Sequence, residues 1–565
     1  MELSENARKV LQARYLLKNE EGEVIESPEE MFRRLARSIA AVEKSYGADP
    51  GLWEERFLDL LTGLRFLPNS PAIMNAGKPA GQLAACFVLP VEDSMSGIFE
   101  TLKNAALILQ SGGGTGFSFS RLRPRADLVR STGGIASGPV SFMKIYNTAT
   151  DIIKQGGARR GANMGILRVD HPDIVEFIRV KKGAGELANF NISVAVTDLF
   201  MEELSRDGSY DLVNPRSGKV AGRARAKEVF DEIVASAWET GDPGMIFIDR
   251  INRDNPTPGI GSFESTNPCG EQPLLPYEAC VLGSLNLARY VGSGELDLES
   301  LGGDVALAVR FLDDTIDANR YPLPAIEAMH KRNRKIGLGV MGWADLLIDL
   351  GIPYNDPRAF ALAGSVMQFI RDRARNASAA LAEERGVFPN FPGSVYDAPG
   401  MPRVRNATTT TIAPTGTLAT IADCSSGIEP LFALAYRRLI LEGELVETNR
   451  HFIEIAKREG FYSEELLEGV KVTGNLQGRE EVPERYRALF RTALEIPPED
   501  HIEMQRAFQR FTDNAVSKTV NLPEEATRED VARVFLLAYE KECKGVTLFR
   551  YGCRPGTLVR FADVD

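Results

Sequence analysis

Asn267-Pro268-Cys269-Gly270-Glu271 packs an amide, a thiol and a carboxylate into one short stretch. Proline and glycine beside the thiol argue for a turn or loop and against a helix interior. Such a loop can hold all three side chains toward one small substrate. The combination suits radical chemistry on a sugar: a thiol to abstract hydrogen, a carboxylate to take a proton, an amide to hold hydroxyls. Taken alone, an Asn-Pro-Cys-Gly turn is more often a plain turn with a buried cysteine, so the rest of the chain has to decide.

The chain has 565 residues and a net charge of -12, with apolar and charged fractions ordinary for a globular protein. It carries no basic footprint, so nucleic acid is not an expected partner. No apolar run reaches the roughly 18 residues that span a bilayer. The polar, acidic start Met1-Glu2-Leu3-Ser4-Glu5-Asn6 does not read as a signal peptide, and the expected location is the cytoplasm, away from any membrane. The 6 cysteines, Cys86, Cys269, Cys280, Cys424, Cys543 and Cys553, are too sparse for a secreted disulfide framework. Without a C-x-x-C pair, no structural metal site is expected. Glu327 and His330 form a single E-x-x-H, where a di-iron site needs two plus further carboxylates; they read as a solvated helix face.

Residues 1–67 read as a helical region, with Met31, Leu35, Ile39 and Val42 on one face. Residues 81–90 read as a strand carrying Cys86. Asp93, Ser94 and Ser96 precede a helical run to Gln110, a capped start. Residues 305–317 form a second amphipathic helix. Residues 388–406 read as a long surface connection, and the threonine-rich 407–413 as a strand. Alternating β and α patterns over this length predict an α/β fold with a mostly parallel sheet or barrel.

Three loops are candidates for ligand contact. Ser111-Gly112-Gly113-Gly114-Thr115-Gly116 lets a backbone approach a ligand closely, but it lacks the lysine of a phosphate-binding loop. Pro414-Thr415-Gly416-Thr417 offers two hydroxyls at a predicted helix start, an anion seat or a simple N-cap. Lys154 to Gly161 is a glycine-containing loop with three cations, suited to a phosphate or a base, or to solvent.

Taken together and in order, these pieces resemble a ribonucleotide reductase. The resemblance runs through Phe66 to Pro71, Ala85-Cys86-Phe87, the glycine loop, Leu122-Arg123-Pro124 and Ala136 to Met143. It continues through Lys154 to Gly165, Ser265 to Glu271, Glu278-Ala279-Cys280, Gly283-Ser284, Ile412 to Thr417 and Ser425 to Pro430. The Pro-Cys-Gly-Glu form is most similar to class II, the adenosylcobalamin-dependent branch.

The resemblance implies a ten-stranded α/β barrel of two five-stranded parallel halves, antiparallel to each other, with a central finger loop. It implies a division into a helical region 1–67, a barrel 68–540 and a short C-terminal segment 541–565. Cys269 is the implied thiyl radical residue, Glu271 the base for the ribose 3′ hydroxyl, Asn267 the holder of the sugar hydroxyls. Cys86 and Cys280 are the implied reducing pair, a testable assignment because a disulfide needs Cα atoms about 4.4–6.8 Å apart. Ser70, Ala85, Gly114 and Pro414, Thr415, Gly416 and Thr417 match substrate positions. Asp93, Arg123, Arg130, Gln155, Arg159 and Arg160 match contacts to a deoxynucleoside triphosphate effector at a homodimer interface. A ribonucleoside di- or triphosphate substrate and a thioredoxin-like thiol reductant complete the implied partners.

Two departures from the family pattern matter. Many relatives carry a mobile C-terminal tail with a closely spaced cysteine pair, whereas Cys543 and Cys553 are widely spaced; either these two serve that role or, as the preferred expectation, a tail is missing or an external thiol reduces the site directly. The N-terminal segment is also short for an on/off nucleotide domain. The competing reading is a class I large subunit, which takes its radical from a separate metal-containing subunit through adjacent tyrosines. Here the comparable stretch, Thr547-Leu548-Phe549-Arg550-Tyr551, has no such pair. A catalytically inert nucleotide-binding regulator is countered by the complete cysteine, asparagine and glutamate set.

Overall fold

The computed structural model describes residues 1–129, 133–153, 161–183, 185–292, 294–440, 443–553 and 559–560. Three N-terminal helices open the chain: α1 (Glu5–Arg14), α2 (Pro28–Ala40) and α3 (Pro50–Thr62). Ser4, Ser27 and Asp49 cap them with side-chain oxygens, and α2 adds a reciprocal capping box through Glu30. Met31, Phe32, Leu35, Ala36 and Ile39 of α2 are buried, the face that the apolar spacing predicts.

A short strand β1 (Phe66–Pro68) leads into the barrel. Its first five strands are β2 (Cys86–Pro90), β3 (Gly114–Ser118), β4 (Asn163–Arg168), β5 (Phe190–Val196) and β6 (Gly244–Phe247). Each is parallel to the next. A hairpin follows, β7 (Ser265–Thr266) and β8 (Pro273–Leu274), paired antiparallel. The second half contains β9 (Ala279–Asn286), β10 (Ile336–Met341), β11 (Thr519–Leu522) and β12 (Gly545–Arg550). β9 is parallel to β10, and β11 is parallel to β12.

The gap between β10 and β11 is filled by the predicted threonine strand. Its pairing is sparse: Leu338 bridges Thr410 and Ile412 bridges Val516, both parallel. The physical reason is that Asp513 accepts the backbone N–H groups of Thr409 and Thr410, at 2.8 and 3.2 Å, where a continuous ladder would otherwise form. With that segment as the tenth strand, the ring closes through two antiparallel seams. At one, Met245 faces Val546; at the other, Cys280 faces Cys86. The expected two-halved barrel is present. β12, at Gly545–Arg550, forms one side of a seam and so is part of the ring.

Alternation sorts the strands' side chains. Phe87, Leu89, Phe117 and Val281 face the large helix-packed core. Cys86, Val88, Cys280 and Leu282 face inward with Leu274, while Met164, Ile166 and Ala195 pack with Phe263 and Leu275. The hairpin region therefore fills the barrel axis. Two other expectations change. Residues 388–406 bury Phe388, Phe391, Tyr396 and Val404 as a small cluster of their own, so they are not wholly a surface connection. His330 is not solvated: its ring is buried between the Tyr321 hydroxyl (2.9 Å) and the Lys335 carbonyl (3.1 Å), and burial lowers its pKa to about 4. Among the described residues, no helix is long and apolar enough to cross a membrane.

Candidate active site

The Asn267–Glu271 stretch is the tip of the β7–β8 hairpin. Gly270 sits at φ +83° and donates its N–H to the Asn267 carbonyl at 3.1 Å. This is a left-handed turn position that glycine takes without steric cost. Asn267 also accepts the Gln272 N–H on its side-chain oxygen at 3.0 Å. The Glu271 carbonyl accepts from the Ala515 N–H (2.9 Å) and the Thr411 hydroxyl (3.0 Å), tying the tip to the second half of the barrel. On the other side the hairpin lies against β3. A Cβ at Gly116 would overlap the Thr266 carbonyl, and one at Gly114 would press on the Pro268 ring at 3.0 Å. The glycine loop thus admits the hairpin backbone.

Cys86 and Cys280 are directly opposed across the seam. Facing residues of an antiparallel pair have Cα atoms about 4.5–5.5 Å apart, within reach of a disulfide. Both thiols are buried, and burial pushes both well up. The Asn267 amide donates to the Cys86 sulfur at 3.1 Å. Glu271 is buried and its Oε2 has no hydrogen-bond partner. Burial lifts its carboxyl to about 7, against the pull of its own backbone N–H and Asn267. Cys269 alone of the set is exposed, and it faces a cavity of about 960 Å³. The fold therefore gathers one open thiol, two dry thiols, an amide and a carboxyl poised near neutrality.

The family follows from this arrangement together with the sequence comparisons. Residues 84–549 match the family description "Ribonucleotide reductase, barrel domain", and residues 1–81 match "Ribonucleotide reductase, all-alpha domain". The chain belongs to the ribonucleotide reductase family. A "Vitamin B12-dependent ribonucleoside-diphosphate reductase" of Thermoplasma acidophilum is 51% identical, over 97% of this chain and 79% of that protein. A protein of the same description from Mycobacterium tuberculosis is 50% identical, over 100% of this chain and 80% of its own length. Among solved structures, the "class Id ribonucleotide reductase alpha subunit" of Actinobacillus ureae superposes with a TM-score of 0.81, covering 97% of each chain, at 22% identity; that likeness concerns the fold.

The remaining predicted positions of this reductase divide into two groups. Pro414 and Gly416 line the cavity with Ser425 and Ser426. Thr415 does not cap the short helix Gly416–Ala422 with its side chain; its hydroxyl accepts the Gly427 N–H at 2.8 Å and so binds two cavity-lining loops together. The Ala85 carbonyl accepts the Gly114 N–H at 2.8 Å, and Ser70 shares a 2.8 Å hydrogen bond with the Tyr15 hydroxyl. Of the effector set, Asp93 and Arg123 satisfy each other, Nε to carboxylate at 2.9 Å. Arg130, Gln155, Arg159 and Arg160 lie outside the described residues.

The sequence reading missed several cavity residues. Ser4, Glu5 and Asn6 at the start of α1 reach the cavity wall, which no local motif signals. Lys518, buried and hydrogen-bonded to Glu429 and His501, also lines it; only Glu429 lay within a recognised motif. Cys543 is buried and Cys553 partly exposed. They flank opposite ends of β12, so they do not form a closely placed pair.

Proposed function

We propose that this chain reduces ribonucleotides to 2′-deoxyribonucleotides, with Cys269 as the radical-bearing residue and adenosylcobalamin as the cofactor. The observation that carries the reading is the opposed pair Cys86 and Cys280 beside a tip that presents Cys269, Asn267 and Glu271. As a thiyl radical, the exposed Cys269 takes the ribose 3′ hydrogen atom, its S–H bond forming as the C3′–H bond breaks and leaving the radical on the sugar. Glu271, held near neutrality and with one oxygen unpartnered, accepts the 3′ hydroxyl proton, and Asn267 orients the sugar hydroxyls. Cys86 and Cys280 supply two electrons and end as a disulfide, while the 2′ hydroxyl leaves as water.

The cavity suits the cofactor in its chemistry. Phe432, Tyr436 and Phe549 offer apolar and aromatic surface, and Asn449, Ser517 and Thr547 offer hydrogen bonds, on the same cavity that Cys269 faces. Bound there, adenosylcobalamin supplies the radical initiation that side chains lack. The names of the relatives at about half identity support this cofactor and a ribonucleoside diphosphate substrate. Substrate phosphates lie against Pro414 to Thr417, with Ser70, Ala85 and Gly114 on the sugar side. Asp93 and Arg123, with Arg130, Gln155, Arg159 and Arg160, hold a deoxynucleoside triphosphate effector at a homodimer interface. The enzyme works in the cytoplasm and is recharged by a thioredoxin-like dithiol.

The test incubates the purified chain with a ribonucleoside diphosphate, an effector and dithiothreitol, with and without adenosylcobalamin. Deoxynucleotide formed only with the cofactor is the expected result. Equal product without it, or none with nucleotide bound, overturns the cofactor reading.

A further inference from the structure

A buried ion pair adjoins the reducing cysteines. β9 pairs with β10 from Val281 and Ile336 onward, so the preceding residues, Cys280 and Lys335, occupy neighbouring register positions. Cys280 and Leu282 face the barrel interior, and opposed residues of neighbouring strands share a face. Cys86, Cys280 and Lys335 thus form an inward row across three adjacent strands. Lys335 is fully buried; its Nζ donates to Glu278 Oε2 at 2.7 Å and lies 4.5 Å from the Phe263 ring centroid. Glu278, two residues before Cys280, also accepts from the Leu275 N–H (2.6 Å) and the Asn333 amide.

We infer that the Lys335–Glu278 pair sets the charge balance at Cys280 and makes it the leaving sulfur when the Cys86–Cys280 disulfide is reduced. The inference rests on the assignment of Cys86 and Cys280 as the reducing pair. A thiolate of an external dithiol attacks Sγ of Cys86, the less enclosed residue at 4% exposure against 0% for Cys280. The new S–S bond forms as the Cys86–Cys280 bond breaks, and its electron pair passes to Cys280 Sγ. The dithiol's second thiolate then closes on its first sulfur and releases Cys86. The two protons lost by the dithiol end on Cys86 and Cys280. A better-stabilised leaving thiolate departs faster. Burial opposes a thiolate at Cys280, Lys335 favours it, and Glu278 works against Lys335. Lys335 and Glu278 are positioning residues, acting through Cys280.

The sign of each single substitution is diagnostic. Losing one nearby charge changes a neighbour's acidity by about 10–100-fold. With a Brønsted slope near 0.5, the rate changes about 3–10-fold. The full chain is oxidised and reduced with dithiothreitol, and the thiols are counted over time. E278Q is expected to speed reduction about 3–10-fold, K335M to slow it by as much, and the double variant to return near the parent. A purely structural pair would slow both or change neither, and either result overturns the inference. If K335M fails to fold, E278Q decides alone: reduction no faster than the parent overturns the inference. Peptide mapping of the oxidised parent separates the two readings. Absence of a Cys86–Cys280 disulfide refutes the underlying assignment, whereas its presence with unshifted rates refutes only the role of the pair.

Discussion

Glu271→Gln separates what this carboxyl contributes to chemistry from what it costs the fold. Burial raises its pKa to about 7 from the ordinary value of 4.5, a displacement worth roughly 3 kcal/mol. The folded protein holds the proton more tightly than the unfolded chain, so stability falls as pH rises from about 4.5 to about 7 and is level above. Glutamine cannot ionise and removes that loss. For a chain of 565 residues, an unfolding entropy near 2.1 cal/mol/K per residue converts roughly 3 kcal/mol into about 2–3 °C. The variant is therefore expected to melt within about 1 °C of the parent at pH 5 and about 2–3 °C above it at pH 8.5, by scanning calorimetry at one scan rate. Turnover moves the other way. The parent's kcat/KM rises with pH through an inflection near 7, and the variant loses about 10²–10⁴-fold, the usual worth of a general base. Melting curves that stay parallel from pH 5 to 8.5 would refute the account of a carboxyl held protonated by burial.

Cys269→Ser is expected to abolish turnover while nucleotide affinity, measured by isothermal calorimetry, stays within about twofold, because a hydroxyl is a far poorer hydrogen-atom carrier than a thiol in an otherwise unchanged turn. Without reductant, the pre-reduced enzyme should yield at most one deoxynucleotide per chain and then carry a Cys86–Cys280 disulfide on peptide mapping; several turnovers would reassign the electron source. Gly116→Val places a side chain where the Thr266 carbonyl lies. Overpacking of this kind costs about 1–3 kcal/mol or more, and the displaced tip should lose turnover by over tenfold with the circular dichroism spectrum unchanged. Normal activity in that variant would contradict the close hairpin–β3 contact.

Local sequence determined much of this protein. The capped N-terminal helices, the helix after Ser94 and the Asn267–Glu271 turn follow from side chains acting on neighbouring backbone, an interaction complete within a few residues. The ordered motifs also pointed to the family and so to the barrel. The tenth strand was legible as an extended segment. Its sparse ladder was not, since Asp513, which diverts its backbone N–H groups, lies far along the chain.

What only the tertiary structure decided are the quantities set by distant partners. Cys86 and Cys280 are opposed because an antiparallel seam joins the two halves. Glu271 is poised near neutrality because the closed barrel excludes water around it. Lys335 becomes a neighbour of Cys280 only through strand register, which no local pattern carries. His330, placed by sequence on a solvated face, is buried because Tyr321 and the Lys335 carbonyl satisfy its ring. Periodicity reports which face of an element is apolar; register, seam and enclosure depend on which elements meet, and those fix the chemistry of the buried thiols and the carboxyl.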